Sequence, residues 1–123
     1  MAYNGKVQLT FIINAPEDQV AEGDRIFAAH AAWMAETHHR EGEKALYVYN
    51  VSKAPVLSNP MDITSEPTGR TNFVLMEIYE SEAGVADHYA RAGDWSEFGN
   101  FGAWLGNCEV SIVSSAPIVH SLW

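Results

Sequence analysis

Glu77 and His88 stand in one run, Asn72-Phe73-Val74-Leu75-Met76-Glu77-Ile78-Tyr79-Glu80-Ser81-Glu82-Ala83-Gly84-Val85-Ala86-Asp87-His88-Tyr89. It opens as an apolar, β-branched and aromatic stretch and turns helical at Ser81. A strand thus delivers a carboxylate, and the helix after it delivers an imidazole about two turns in. Brought into one space, the pair has the equipment to take a proton from a phenol or enol. An imidazole titrates near neutrality, and a poorly solvated carboxylate either finds a partner or has its pKa raised. Glu77 shares its strand face with Phe73, Leu75 and Tyr79, so it is expected to be poorly solvated. A structural bond to Arg70, to a tyrosine or across an interface is the reading preferred for it. For His88 the alternative to chemistry is a packed ring bonded to a carbonyl or to the surroundings of Asp87.

His30, Met34 and His38 recur at i, i+4 and i+8 on the first helix, with Phe27 and Trp33 beside them. Two turns separate the histidines by ~12 Å along the axis, too far to share one ion directly. His38 and His39 splay by about 100°. No metal and no other cofactor is expected. His30 is expected to line a pocket as a donor, and His30 and His88 are the candidate catalytic residues. Tyr47, Tyr49, Trp33, Trp95, Phe98, Phe101 and Trp104 can wall a cavity for a flat or fatty ligand, or simply fill a core. The candidate substrate contacts are Phe27, Trp33, Met34, His38, Tyr49, Glu77, Trp95, Phe101 and Trp104. Trp95 and Trp104 are expected on a short helix weakened by Gly99, Gly102 and Gly106, which would suit a mobile cover. Cys108 has no base beside it in sequence and is expected to be inert.

These residues need elements to position them. Val7 to Ile13 alternates as a first strand. Asn14, with Pro16 and Glu17 following, reads as the N-cap of a helix running to about Arg40, with Gly42 as its stop. Its inner face is expected to carry Val20, Phe27, His30, Ala31, Met34 and His38. Leu46 to Val51 is a second strand, and Lys53 to Thr71, rich in proline and small polar residues, a long loop with a short extended piece at Val56-Leu57. Phe73 to Tyr79 is the third strand, and a helix follows from Ser81 to near Gly93. Asp94-Trp95-Ser96-Glu97 repeats a capping-box pattern before a short helix to about Leu105. Glu109 to Ser115 is the fourth strand, before an apolar tail. The order β-α-β-β-α-(α)-β is the split βαβ arrangement of ferredoxin-like α+β folds, one antiparallel sheet with helices on one face. In strand two, Leu46 and Val48 are expected on one face, with Tyr47, Tyr49 and Val51 on the other. In strand three, Val74, Met76 and Ile78 lie opposite Phe73, Leu75 and Tyr79. Both faces are apolar, so a second subunit is the economical cover for the face without helices, and a homodimer is expected.

The chain has 123 residues, enough for one domain with a real core. Seven basic against sixteen acidic side chains give a net charge of −9 with no basic cluster, which disfavours nucleic acid and membrane surfaces as partners. One cysteine excludes an internal disulfide, and no apolar stretch approaches the ~20 residues of a membrane span. No signal-peptide core is seen, and a soluble cytoplasmic protein is expected. No phosphate-binding glycine loop, Gly-x-Ser-x-Gly elbow or His-Glu-x-x-His motif appears.

The element order, and above all Phe73 to Trp95 with its Glu-x-x-Glu-Ser-Glu turn and helical His88, resembles the antibiotic-biosynthesis-monooxygenase-like family. The resemblance implies a small dimeric α+β barrel, two ferredoxin-like subunits packed sheet to sheet, each with a cavity between its own sheet and helices. It implies a cofactor-independent oxygenase acting on an apolar phenol, quinol or enol, with His88 at the family-matching position. The alternative is a non-catalytic protein that holds an apolar ligand such as a fatty acid. The haem-degrading members use a histidine in the region that here reads Phe98-Gly99-Asn100-Phe101-Gly102, and a tryptophan in strand three. This chain has neither, so haem degradation is disfavoured. The insertion from Lys53 to Thr71 also departs from the family pattern.

Overall fold

The computed structural model describes residues 2–123. Four strands form one antiparallel sheet in the order β2-β3-β1-β4. These are β1 (Val7–Ala15), β2 (Leu46–Leu57), β3 (Pro67–Tyr79) and β4 (Glu109–Pro117). Three helices, α1 (Val20–Thr37), α2 (Glu82–Ala92) and α3 (Phe98–Leu105), complete the expected split βαβ arrangement. Strict alternation puts Val7, Leu9, Phe11, Ile13 and Ala15 of β1 under the helices, all buried. The facing residues of β3, reached through the register Phe11–Leu75 and Leu9–Glu77, are Phe73, Leu75, Glu77 and Tyr79. Ile26, Phe27, His30 and Met34 close the layer from α1, and Val85 and His88 from α2. Ala31 is exposed, so the inner face of α1 is narrower than its apolar periodicity suggests.

Several boundaries differ from those read off the sequence. Asn14 does not cap a helix. It continues β1, opposite Asn72 on one side and Glu109 on the other, and its Oδ1 accepts from Arg70 Nε at 2.5 Å. With its backbone and side chain both engaged there, the chain enters α1 through a 3-10 turn at Glu17–Gln19 instead. At its other end α1 stops at Thr37, and His38 takes an extended conformation, so His38 and His39 are not neighbours on a helix. Lys53 to Thr71 is not a long loop. β2 and β3 run on as paired strands, and Ser58 N–H donates to Glu66 C=O at 2.8 Å to close a tight hairpin end. The prolines fall where the ladder tolerates them: Pro55 on the outer strand and Pro67 at a strand start. Asp94 to Glu97 forms turns rather than a capping box. The Glu97 side chain makes no cap bond because Arg25 and Asn100 hold its carboxylate.

A bulge near Tyr47 corrects the face assignment of β2. The register shifts between Leu46–Tyr79 and Val48–Ile78, so Leu46 and Tyr49 both reach the helix side. Two glycines allow close approach within the layer, one at each of its ends. A Cβ at Gly23 would lie 2.5 Å from Trp104 Cζ2, and one at Gly84 only 2.6 Å from Tyr79 Cδ1. Gly84 thereby lets α2 settle on the end of β3 that carries Glu77 and Tyr79.

Candidate functional site

Ser81 starts the construction: its hydroxyl accepts from Ala83 N–H and caps α2, which places His88 two turns later over the sheet. The end of α1 swings His38 toward the same point, and His30 comes one face earlier from the middle of α1. His38 Nε2 and His88 Nδ1 lie 2.8 Å apart, and His88 Nδ1 lies 4.0 Å from Glu77 Oε1. Tyr79 donates its hydroxyl proton to Glu77 Oε1. His30 Nδ1 sits 2.7 Å from the Tyr49 hydroxyl. Glu77 is 0% exposed, and its Oε2 has no hydrogen-bond partner among the described residues. The structural partner of Glu77 is therefore the tyrosine two residues on, while Arg70 goes to Asn14.

The hydrogen bonds around His38 fix which nitrogens carry protons. Thr37 has one hydroxyl proton and donates it to Trp33 C=O at 2.7 Å, so its oxygen can only accept from His38 Nδ1, 2.9 Å away. A neutral His38 then has a bare Nε2, which must accept from His88 Nδ1–H. His88 is left with a bare Nε2 on the far edge of its ring. Burial drives this neutrality. It pushes His88 down to about 3 and His30 and His38 to about 4, each also disfavoured by neighbouring positive charge. Burial has the opposite sign for a carboxyl group and raises Glu77 to about 7, although the Tyr79 bond pulls the other way. Tyr49 and Tyr79 are pushed up by burial as well. Asp87 is not a partner of His88. It bonds Arg91 Nε at 2.8 Å and faces Lys44 and His39.

Open space adjoins the cluster on two sides. A chamber of about 60 Å³ is bounded by His30, His88, Trp33, Trp95, Leu75 and Phe101, among others. Phe11, Tyr89, Phe98 and Phe101 separate it from an open apolar groove of about 520 Å³ that runs along α3 to Ile112. On the opposite side a cleft of about 240 Å³ reaches His38, Met34 and Tyr49. A further surface hollow, about 570 Å³ between α1 and the β2–β3 hairpin, contains none of these residues.

Most of the sequence-derived candidates converge here. His30, His38, His88, Glu77, Tyr49, Trp33 and Trp95 form the cluster and its walls, with Met34 on the cleft side and Phe101 between chamber and groove. Phe27 touches His30 by its edge but belongs to the core. Trp104 does not reach the chamber. It is buried against Phe27 and Phe73 with its indole N–H bonded to Gln19 C=O, so it is a fixed core residue and not part of a cover. Trp95 precedes α3 and is also buried. Tyr79, Thr37, Phe11 and Tyr89 join the site without being marked by sequence. For Tyr79 alone a signal exists, its two-residue spacing from Glu77 on one strand face. No family model, curated protein or solved structure matches the chain.

Proposed function

We propose that this chain is a small-molecule enzyme that ionises an apolar phenol, quinol or enol, in keeping with its resemblance to monooxygenase-like proteins. The observation that carries the reading is the hydrogen-bonded chain from Trp33 C=O through Thr37 and His38 to His88, which leaves His88 Nε2 bare on a ring that lines the chamber. The apolar groove along α3 takes the body of the ligand, and its acidic group reaches past Phe98 and Phe101 to His88. With its own pKa at about 3, His88 is a poor resting place for a proton, whereas Glu77 at about 7 is a better one. His88 therefore acts as the base only in passing: Nε2 receives the substrate's proton while Nδ1–H stays bonded to His38 Nε2, and the Glu77 carboxylate, 4.0 Å from Nδ1, stabilises the positive charge until the anion reacts. His30 steadies the anion by hydrogen bonding.

In the oxygenase form of this reading, the anion adds dioxygen at carbon and regains a proton as a hydroperoxide. Loss of water then converts a CH₂ carbon to a carbonyl, so one O₂ gives one carbonyl oxygen and one water. The water-poor walls of Trp33, Trp95 and Phe101 protect the anion. Oxygen uptake with 1-naphthol and 1,4-naphthohydroquinone tests this. Uptake above the buffer rate is expected from the native chain, and it should vanish in a folded His88→Ala variant. Equal uptake by both proteins, or none with any phenol or quinol, would overturn it. A second reading has support in the size of the groove, which far exceeds the chamber: the chain stores an apolar ligand such as a fatty acid without turnover.

The same reading includes a homodimer. Ile12 and Val113 on the face without helices are 45% and 55% exposed, and Val48, Val74 and Met76 lie on that face as partly buried neighbours. Light scattering should give twice the 13.6 kDa chain mass. A cytoplasmic setting belongs to this proposal; among the described residues, no helix is long and apolar enough to cross a membrane.

A further inference from the structure

We propose that His30, Glu77 and His88 together bind one divalent first-row transition cation. The spacing of histidines along α1 argues against a metal held by that helix alone, but the three groups come from three elements, α1, β3 and α2. One ligand atom from each lies within 4.8 Å of the others, and all three side chains are buried. Metal bonds of ~2.0–2.2 Å place ligand atoms roughly 3–4 Å apart, so side-chain shifts of less than about 1 Å would close the set. The fully buried Glu77 Oε2 with no partner is the independent sign that something is wanted there.

Each ligand is also held from behind. Tyr79 bonds Glu77 Oε1, His38 takes the Nδ1 proton of His88, and Tyr49 faces His30 Nδ1 at 2.7 Å. Metal-bound histidines are oriented in this way, one ring nitrogen on a hydrogen-bond partner and the other on the ion. Two imidazoles and one carboxylate suit iron, manganese, cobalt or zinc in the divalent state better than calcium or magnesium. Three protein ligands leave coordination positions open, and the adjoining 60 Å³ chamber has room for one or two waters at about 30 Å³ each.

The cation site rests on this cluster alone and not on the phenol-type substrate, so either reading can fail without the other. With a cation seated, His88 Nε2 and the Glu77 carboxylate would be ligands, so His88 serves as a base only in the metal-free protein.

The test is Co²⁺ titration of the whole chain after dialysis against EDTA, read by visible absorption and calorimetry. One Co²⁺ per chain with ligand-field bands is expected. Affinity should fall at least about 100-fold in His88→Ala and Glu77→Gln, and about 10-fold in Tyr79→Phe, which removes only an outer partner. His39→Ala and His120→Ala, at exposed histidines, should leave it unchanged. Circular dichroism checks each fold. If His88→Ala does not fold, proton NMR of the Co²⁺-loaded native chain decides. Two hyperfine-shifted, slowly exchanging imidazole N–H signals are expected, and their absence would overturn the proposal. So would the lack of saturable binding of Co²⁺, Mn²⁺ and Zn²⁺, or binding that survives both His88→Ala and Glu77→Gln.

Discussion

The layer between sheet and helices has two ends that share β3 and α1 and are governed by opposite chemistry. At one end β3 contributes Phe73, α1 contributes Gly23, Ile26 and Phe27, and α3 contributes Trp104. Everything there is apolar or, like the Trp104 indole, fully bonded. At the other end the same strand contributes Glu77 and Tyr79, and the same helix contributes His30 and, just past its end, His38. That end buries one carboxyl group and two imidazoles, with His38 half-buried beside them and one carboxyl oxygen unpartnered among the described residues. Packing alone accounts for the first end. Packing would have favoured Leu or Phe at the second, since buried ionisable groups cost stability unless paired. Under the proposed function the two ends divide the work: the aromatic end anchors the layer, and the histidine end gives up stability for a reactive arrangement.

Four experiments break or sharpen this contrast. Trp104→Ala at the aromatic end should cost about 3–5 kcal/mol in urea unfolding, through cavity formation and the orphaned Gln19 carbonyl, while the histidine chemistry persists in the fraction that stays folded. Acid should act on the other end. His30, His38 and His88 have folded pKa values of about 3 to 4 against an ordinary 6.5, so the stability they confer is complete above pH 6.5 and is lost as pH falls toward 4. Glu77 opposes this between pH 7 and 4.5, but three histidines outweigh one carboxyl. In metal-free protein the net loss should reach a few kcal/mol, and His88→Gln should shallow the slope.

Glu77 itself carries the reverse sign. Its folded pKa of about 7 lies above the usual 4.5, so its contribution is full below pH 4.5 and is lost as pH rises through 7. The stability difference between Glu77→Gln and the native chain should therefore move in favour of the variant from pH 5 to pH 8.5, by on the order of 3 kcal/mol. A flat difference would mean that Glu77 titrates normally. Smallest, Tyr49→Phe removes one hydrogen bond to His30 and should cost about 1 kcal/mol, with His30 freer to reorient.

The aromatic end and the strand alternation are readable from the chain because period-2 and period-3.6 patterns report burial directly. Most of the cluster is legible for the same reason: His30, Glu77 and His88 sit on faces that must point inward. Three features are not. The bulge at Tyr47 reverses a face assignment and leaves no clear mark in a run as uniformly β-prone as Leu46 to Val51. The hairpin from Lys53 to Thr71 is rich in residues that usually signal loops, yet backbone pairing and an Asp62–Ser65 turn overrule composition. The joining of His38 to His88 depends on α1 ending at Thr37, because the extended conformation of His38 redirects a ring that a continuous helix would have placed elsewhere. Spacing within one helix consequently understates how close the histidines come.

The most direct measurement is long-range ¹⁵N NMR of the histidine side chains in metal-free protein at pH 7, with and without 1-naphthol. His88 should show a protonated Nδ1 and a bare Nε2, and naphthol should shift that Nε2 while leaving His120 unmoved. A protonated Nε2, or a His88 signal indifferent to naphthol at its solubility limit, would contradict the assignment of this cluster as the reactive centre.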